Sequence, residues 1–157
     1  MNMSKDRDAL ESLPLRLMIV AAVAAMSVVP AAEALETLED RDFVSRAGLA
    51  LDKVVNTAQM LSMQGPGASR TVEVDLTSDG SLRAVRLVVG DVPEGPYASA
   101  LVLELSSGAK IIRLAQDPPV RMSSPFGWGL EVESDRFALH LEAYLSDGAC
   151  IVSAEVV

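Results

Sequence analysis

Cysteine and histidine are scarce in this chain: of 157 residues, one is cysteine (Cys150) and one is histidine (His140). A single cysteine cannot close a disulfide within the chain, which excludes a small disulfide-stapled scaffold. One thiol and one imidazole are also too few for a zinc site built from the usual ligands. Both residues fall in alternating strand patterns, so we interpret His140 as a solvent-facing side chain and Cys150 as a buried apolar thiol.

Basic residues are also few, with 13 Lys and Arg against 22 Asp and Glu and a net charge of -9. This balance excludes nucleic acid as a partner, because phosphate binding requires a basic patch. No phosphate-cradling glycine loop, nucleophile elbow or HExxH motif occurs. The acidic residues fall singly on the polar faces of strands or in a helical patch from Glu33 to Asp42. Residues 75–80 come nearest to a calcium loop, and they also fit a hairpin turn. The sequence therefore predicts a protein that is not an enzyme and has no cofactor or metal.

What the chain does contain is a long apolar stretch at residues 13–32, with Arg16 as its single charge. A membrane-spanning helix needs roughly 20 mostly apolar residues and a secretory signal roughly 7 to 15, and this stretch lies between the two. Lys5, Arg7 and Arg16 lie in or before it, and acidic residues follow it. This bias predicts a single-pass membrane protein with its N-terminus in the cytoplasm and the remainder outside.

The chain is expected to stay helical after the apolar stretch. Residues 31–63 are rich in helix-forming residues and lack proline. A glycine- and proline-containing tetrapeptide, residues 64–67, should end the helix. Residues 13–64 are therefore predicted to form one helix, apolar first and amphipathic second. The apolar positions of the second part are Leu35, Leu38, Val44, Ala47, Leu51, Val54, Ala58 and Leu61.

Beyond Gly67 the apolar residues alternate with polar ones, which predicts seven or eight half-buried strands over residues 68–157. Asp79-Gly80, Ser107-Gly108 and Asp147-Gly148 carry the turn chemistry of tight antiparallel hairpins. Residues 92–97 and 117–129 are predicted to be long loops. The expected fold is α+β: a long N-terminal helix followed by an antiparallel β-sandwich or curved β-sheet domain.

Three aromatic residues, Tyr97, Phe126 and Trp128, lie in the two predicted long loops. They are expected to cap the core at one end of the β domain. A ligand-contacting aromatic patch is the alternative, because loops commonly carry binding residues.

A short charged leader at residues 1–12, an apolar helix that becomes amphipathic, and a β domain form an arrangement that resembles type IV pilin-like proteins, especially archaeal pilins and archaellins. Residues 7–17, RDALESLPLRL, are similar to the class III signal region of that family. The resemblance implies cleavage after Ala9, which leaves Leu10 as the first residue. It also implies that Glu11 pairs with the N-terminal amine of a neighbouring subunit and that Pro30 bends the helix. The chain departs from the family pattern at Arg7-Asp8-Ala9, where a basic residue followed directly by glycine or alanine is usual.

The resemblance implies a structural subunit, major or minor, of an archaeal type IV pilus-like surface filament that is anchored in the membrane before assembly. Its implied partners are copies of itself or related pilins, membrane lipid and a prepilin peptidase. Alanines at 21, 22, 24 and 25 would allow close helix approach. The alternative is an extracellular β-sandwich binding module, either anchored by a single pass or released by signal peptidase. Ala32-Glu33-Ala34 matches the A-x-A pattern of such a cleavage site.

Overall fold

The computed structural model describes the backbone of residues 5–92 and 95–157, and the side chains of residues 17–24, 33–92 and 95–157. Over this part of the chain the fold is α+β, as predicted, with one long helix followed by eight strands in two sheets. The chain divides into two compact units, one ending at Leu38 and the other comprising Glu39–Val157. The elements are α1 (Lys5–Gln64), β1 (Ser69–Asp75), β2 (Ala84–Val89), β3 (Ala100–Leu105), β4 (Lys110–Leu114), β5 (Arg121–Ser123), β6 (Leu130–Val132), β7 (Arg136–Ser146) and β8 (Ala149–Val156).

Helix α1 ends where the glycines and proline predict. The amide of Gly65 donates to the carbonyl of Leu61 at 3.1 Å, and Gly65 and Gly67 both have positive φ, at 95° and 89°. A left-handed residue directly after the last turn satisfies carbonyl groups that the helix leaves unpaired, and glycine adopts that conformation at little cost. The predicted stop signal is confirmed.

The strands form two four-stranded sheets. The first sheet has the order β1-β7-β8-β5, and the second has the order β4-β3-β2-β6. All neighbouring strands are antiparallel except β5 and β8, which are parallel. Strand β5 lies within residues 117–129, which the sequence predicts to be a loop, so that prediction is wrong over residues 121–123. The three-residue strand is too short to show alternation in a segment rich in proline and glycine.

Two of the three predicted hairpin turns are confirmed. Ser107-Gly108 joins β3 to β4, and Asp147-Gly148 joins β7 to β8 with φ values of 50° and 77°. The prediction for Asp79-Gly80 is wrong, because β1 and β2, which flank it, belong to different sheets. This connection packs against α1: a Cβ at Gly80 would lie 2.8 Å from a carboxylate oxygen of Asp40.

One hydrophobic core joins α1 to the inner faces of both sheets. The predicted helix stripe is confirmed from Ala47 onward but not before it, because Leu35, Leu38 and Val44 are exposed. Phe43, four residues before Ala47, takes the buried position instead. Among the described residues of α1, those that are buried are Phe43, Ala47, Gly48, Leu51, Val54, Val55, Thr57, Ala58 and Leu61.

Polar contacts also join α1 to the β domain at Asp40 and Asp52. The guanidinium Nε of Arg113, on β4, donates to Asp52 Oδ1 at 2.7 Å. The Asp40 carboxylate accepts from the amide of Leu82 at 3.0 Å and from the Ser81 hydroxyl at 3.1 Å. These contacts join the helix to β4 and to the segment between β1 and β2.

In the part of the chain whose side chains are described, no helix offers a stretch both long and apolar enough to cross a membrane. The predicted single-pass location, with a cytoplasmic N-terminus and an extracellular β domain, is therefore wrong for the described residues.

Candidate functional site

A concave surface lies on the outer face of the second sheet, opposite the core. It encloses about 490 Å³ and is flanked by the loops that carry Tyr97 and Trp128. Ligand sites commonly enclose roughly 300–1,000 Å³. The lining residues are Arg86, Val88, Gly90, Asp91, Tyr97, Val102, Glu104, Lys110, Ile112, Trp128, Gly129 and Glu131.

Strand register arranges this face in rows. Arg86 on β2 pairs with Glu104 on β3, which pairs with Lys110 on β4. Because residues directly opposite on neighbouring strands share a face, their side chains form one row of alternating charge across the sheet. We call these three residues the charged row.

The next row is apolar over most of its length. Val88, Val102 and Ile112 lie opposite one another on β2, β3 and β4, two residues along each strand from the charged row. Glu131 on β6 pairs with Val88 and ends this row. Val88 and Val102 are half-buried and Ile112 is exposed, so the three side chains, the apolar row, offer hydrocarbon surface at the floor of the cavity.

Arg86 is held by carboxylates on both sides. Its Nη2 donates to Glu104 Oε2 at 3.0 Å, and its Nη1 lies 3.4 Å from Glu131 Oε1. The hydrogen bond to Glu104 and the charge of Glu131 raise the pKa of Arg86 further above its ordinary value. The guanidinium therefore connects β2 to the strands on both of its sides.

Two close contacts between backbone segments position Trp128 beside this face. Gly90 has φ 67°, and a Cβ there would lie 1.8 Å from the carbonyl oxygen of Met122. A Cβ at Gly129 would lie 2.9 Å from the carbonyl oxygen of Gly90. The segment following β2 and the segment preceding β6 therefore touch along their backbones, and glycine is required for that contact. The amide of Ser124 donates to the carbonyl of Trp128 at 2.6 Å, which closes the turn that carries the indole.

The aromatic residues do not cap the core. Tyr97, Phe126 and Trp128 expose 54%, 86% and 67% of their surface. The expectation of core-capping is wrong, and the alternative of an exposed aromatic patch fits two of the three. Tyr97 and Trp128 line the cavity, whereas Phe126, at the tip of the same turn as Trp128, does not.

The other candidate residues from the sequence lie apart from this cavity. The Nδ1 of His140 is 3.2 Å from the Thr71 hydroxyl across β1 and β7, and Cys150 is half-buried against the core. Asp75 accepts hydrogen bonds from the amide and hydroxyl of Thr77, which lower the pKa of its carboxyl. Among the described residues, no three His, Cys, Asp or Glu side chains converge as a metal site would require.

The predicted processing and assembly residues, Ala9, Leu10, Glu11 and Pro30, have side chains outside the described residues. Four consecutive apolar residues of α1 are described nearby: Leu17, Met18, Ile19 and Val20 are each 55–71% exposed. Successive helix positions are about 100° apart, so these four side chains point to nearly every side of the helix. No single packed neighbour could bury them all.

The outer face of the second sheet is suited to binding, since it combines exposed rings, an aliphatic floor and fixed polar groups. Sequence reasoning placed the aromatic residues in loops but did not find the charged row, because its three members lie on separate strands. No family model, curated protein or solved structure matches the chain. The likeness to type IV pilins and the absence of enzymatic activity therefore stay predictions.

Proposed function

We propose that this chain is a structural subunit of a type IV pilus-like filament, in which the N-terminal part of α1 packs against the same part of other copies. In this proposal α1 is apolar first and amphipathic second, and the β domain is a sandwich-like head that the filament displays. The observation that carries the proposal is the exposure of Leu17, Met18, Ile19 and Val20 around the whole helix.

Burial of these residues would supply the driving force for assembly. Removing a large apolar side chain from water stabilises by about 1.5–3 kcal/mol, so four in each subunit represent a substantial gain. A helix that is apolar on all sides is buried on all sides in its working state. Head-to-tail contacts between identical subunits extend without limit when their rotation does not close a ring.

The residues beside this segment suit close packing between helices. Ala21, Ala22 and Ala24 are exposed, and small side chains allow helix backbones to approach one another. Within Glu39–Val157 the later part of α1 is committed to the core of the β domain. In this proposal the first part of the helix joins subunits, and the second part packs in the core of the β domain.

Assembly can be tested by sedimentation and negative-stain electron microscopy of the purified mature chain, which in this proposal begins at Leu10. We expect wild type to form filaments and Ile19→Glu to remain monomeric, because an unpaired carboxylate in an apolar contact costs several kcal/mol. The matched control is Leu49→Glu, which changes an exposed apolar residue of the same helix within the second unit. This control should assemble like wild type. A wild-type chain that stays monomeric at every concentration, or an Ile19→Glu variant that assembles normally, would contradict the proposal.

Mass spectrometry of the mature N-terminus in the native source tests processing. We expect Leu10 as the first residue, as the resemblance implies. A mature chain beginning at Leu35 would lack the four exposed apolar residues, and the filament proposal would then be wrong. In that case the β domain would act alone as a binding module, the second candidate, which its exposed aromatic residues favour.

A further inference from the structure

We propose that the outer face of the second sheet binds a neutral saccharide, which lies over the apolar row beside Tyr97 and Trp128 and directs its hydroxyl groups to the charged row. This assignment does not depend on filament assembly. It rests on the distribution of apolar, aromatic and charged side chains over one preformed face.

The outer face of the second sheet matches the surface chemistry of a sugar ring. A pyranose presents C–H groups on its flat faces and hydroxyl groups around its edge, so it needs an apolar platform with a polar rim. Val88, Val102 and Ile112 form the platform, and the indole of Trp128 adds a flat ring beside it. Aromatic rings of this kind offer large contact area at a low cost in conformational entropy.

Polar side chains around the apolar row can form hydrogen bonds with the hydroxyl groups of a sugar. A carboxylate offers about four lone-pair sites, and Arg86 uses Oε2 of Glu104 at 3.0 Å. Glu104 therefore keeps acceptor capacity for sugar hydroxyl groups, and Asp91 and Glu131 add two further carboxylates to the cavity lining. Lys110, at the other end of the charged row, contributes an ammonium donor. Donors and acceptors thus both surround the apolar platform, which suits hydroxyl groups that act in either role.

The charges of the cavity lining disfavour an anionic ligand. The cavity lining carries three acids (Asp91, Glu104 and Glu131) and two bases (Arg86 and Lys110), so its net charge is about one negative. Arg86 is already paired with two carboxylates. A phosphate, sulfate or sialic acid group would find no unpaired arginine, and the three carboxylates of the lining would oppose its attraction to the single ammonium of Lys110.

The binding face is preformed. Arg86 links β3, β2 and β6 through its ion pairs, and the close backbone contact between Gly90 and Gly129 holds the Trp128 turn. Groups held by strands and tight turns lose little conformational freedom on binding.

The chain has a built-in reporter for this site, because Trp128 is its single tryptophan. We would titrate the full chain with maltohexaose, cellohexaose, mannohexaose and N-acetylchitohexaose and follow its fluorescence. At least one of these neutral oligosaccharides should change the Trp128 emission in a saturable manner, at roughly millimolar concentration or below. Dextran sulfate serves as the anionic comparison and should not bind.

Calorimetric titration of variants then locates the site. Trp128→Ala should weaken binding by about tenfold or more, as loss of a central aromatic contact does. The matched control is Phe126→Ala, which removes a more exposed ring from the same turn outside the cavity, and its affinity should stay within about twofold of wild type. Circular dichroism of both variants verifies folding.

Three results would overturn the proposal: none of the neutral oligosaccharides binds, only dextran sulfate binds, or Phe126→Ala weakens binding as much as Trp128→Ala. Because the Trp128 signal can be read from monomeric or assembled chains, none of these results would bear on filament formation. Conversely, a chain that fails to assemble could still bind the saccharide.

Discussion

Replacing Leu51 by alanine tests whether the second part of α1 is a core element of the β domain. Leu51 is fully buried (0% exposed) and belongs to the cluster that joins α1 to both sheets. The substitution removes three carbon atoms, each worth about 0.8 kcal/mol of transfer free energy, or ~2.4 kcal/mol together. The cavity left behind adds to this loss, so we expect the free energy of unfolding to fall by about 3–4 kcal/mol.

The matched control is Leu49→Ala on the same helix. Leu49 is 67% exposed, so its loss should change the free energy of unfolding by no more than about 0.5 kcal/mol. Urea unfolding followed by far-ultraviolet circular dichroism measures both variants. With a slope of ~2 kcal/mol per molar, the midpoint of Leu51→Ala should fall by about 1.5–2 M. Trp128 fluorescence is a poor probe of unfolding, because the indole is already exposed in the folded state.

The outcome that refutes this reasoning is a small difference between the two variants. If Leu51→Ala and Leu49→Ala unfold within about 0.5 kcal/mol of each other, α1 does not contribute its buried stripe to the core. The helix and the sheets would then fold independently, and the ion pair between Asp52 and Arg113 would not hold them together.

Three further predictions concern single contacts. A double-mutant cycle of Asp52→Ala and Arg113→Ala should give a coupling free energy of about 0.2–1 kcal/mol in urea unfolding, since this ion pair is partly exposed. Gly90→Ala should lower the free energy of unfolding by more than ~2 kcal/mol, because the added Cβ would collide with a backbone oxygen. Gly127→Ala should lower it by only about 1 kcal/mol, because Gly127 also has a positive φ, 83°, but no atom lies near its Cβ position. The hydrogen bonds that lower the pKa of Asp75 stabilise the fold above the unfolded pKa of an aspartate, about 3.9, and this stabilisation is lost as pH falls through the lower folded value. Asp75→Asn should therefore reduce the dependence of the free energy of unfolding on pH in that acid range.

The regular elements were largely predictable because their signals are local. Helix-forming composition and the Gly65-Pro66-Gly67 stop act within a few residues, as do the turns at Ser107-Gly108 and Asp147-Gly148. Each of these features is satisfied by backbone groups close in sequence. The helix end and both hairpins could therefore be predicted without knowledge of the rest of the fold.

The errors arose where a distant part of the chain decides the outcome. Asp79-Gly80 has hairpin chemistry, but Asp40, about forty residues earlier, holds this segment as a crossing between sheets. Helical spacing places Val44 as plausibly as Phe43 on a buried stripe, and contacts with the strands select Phe43. A three- or four-residue period fixes relative positions on a helix, but not the rotation of that helix against its neighbours.

Composition and periodicity alone established the α+β class, the long helix, the strand-rich second part and the scarcity of catalytic ligands, since each depends on residue types and their local spacing. Only the tertiary structure brought Arg86, Glu104 and Glu131 together from three strands, and only it left Trp128 beside them and outside the core. The physical reason is that side-chain periodicity specifies which face a residue occupies, whereas strand order and register, set by packing over the whole chain, specify which residues share that face.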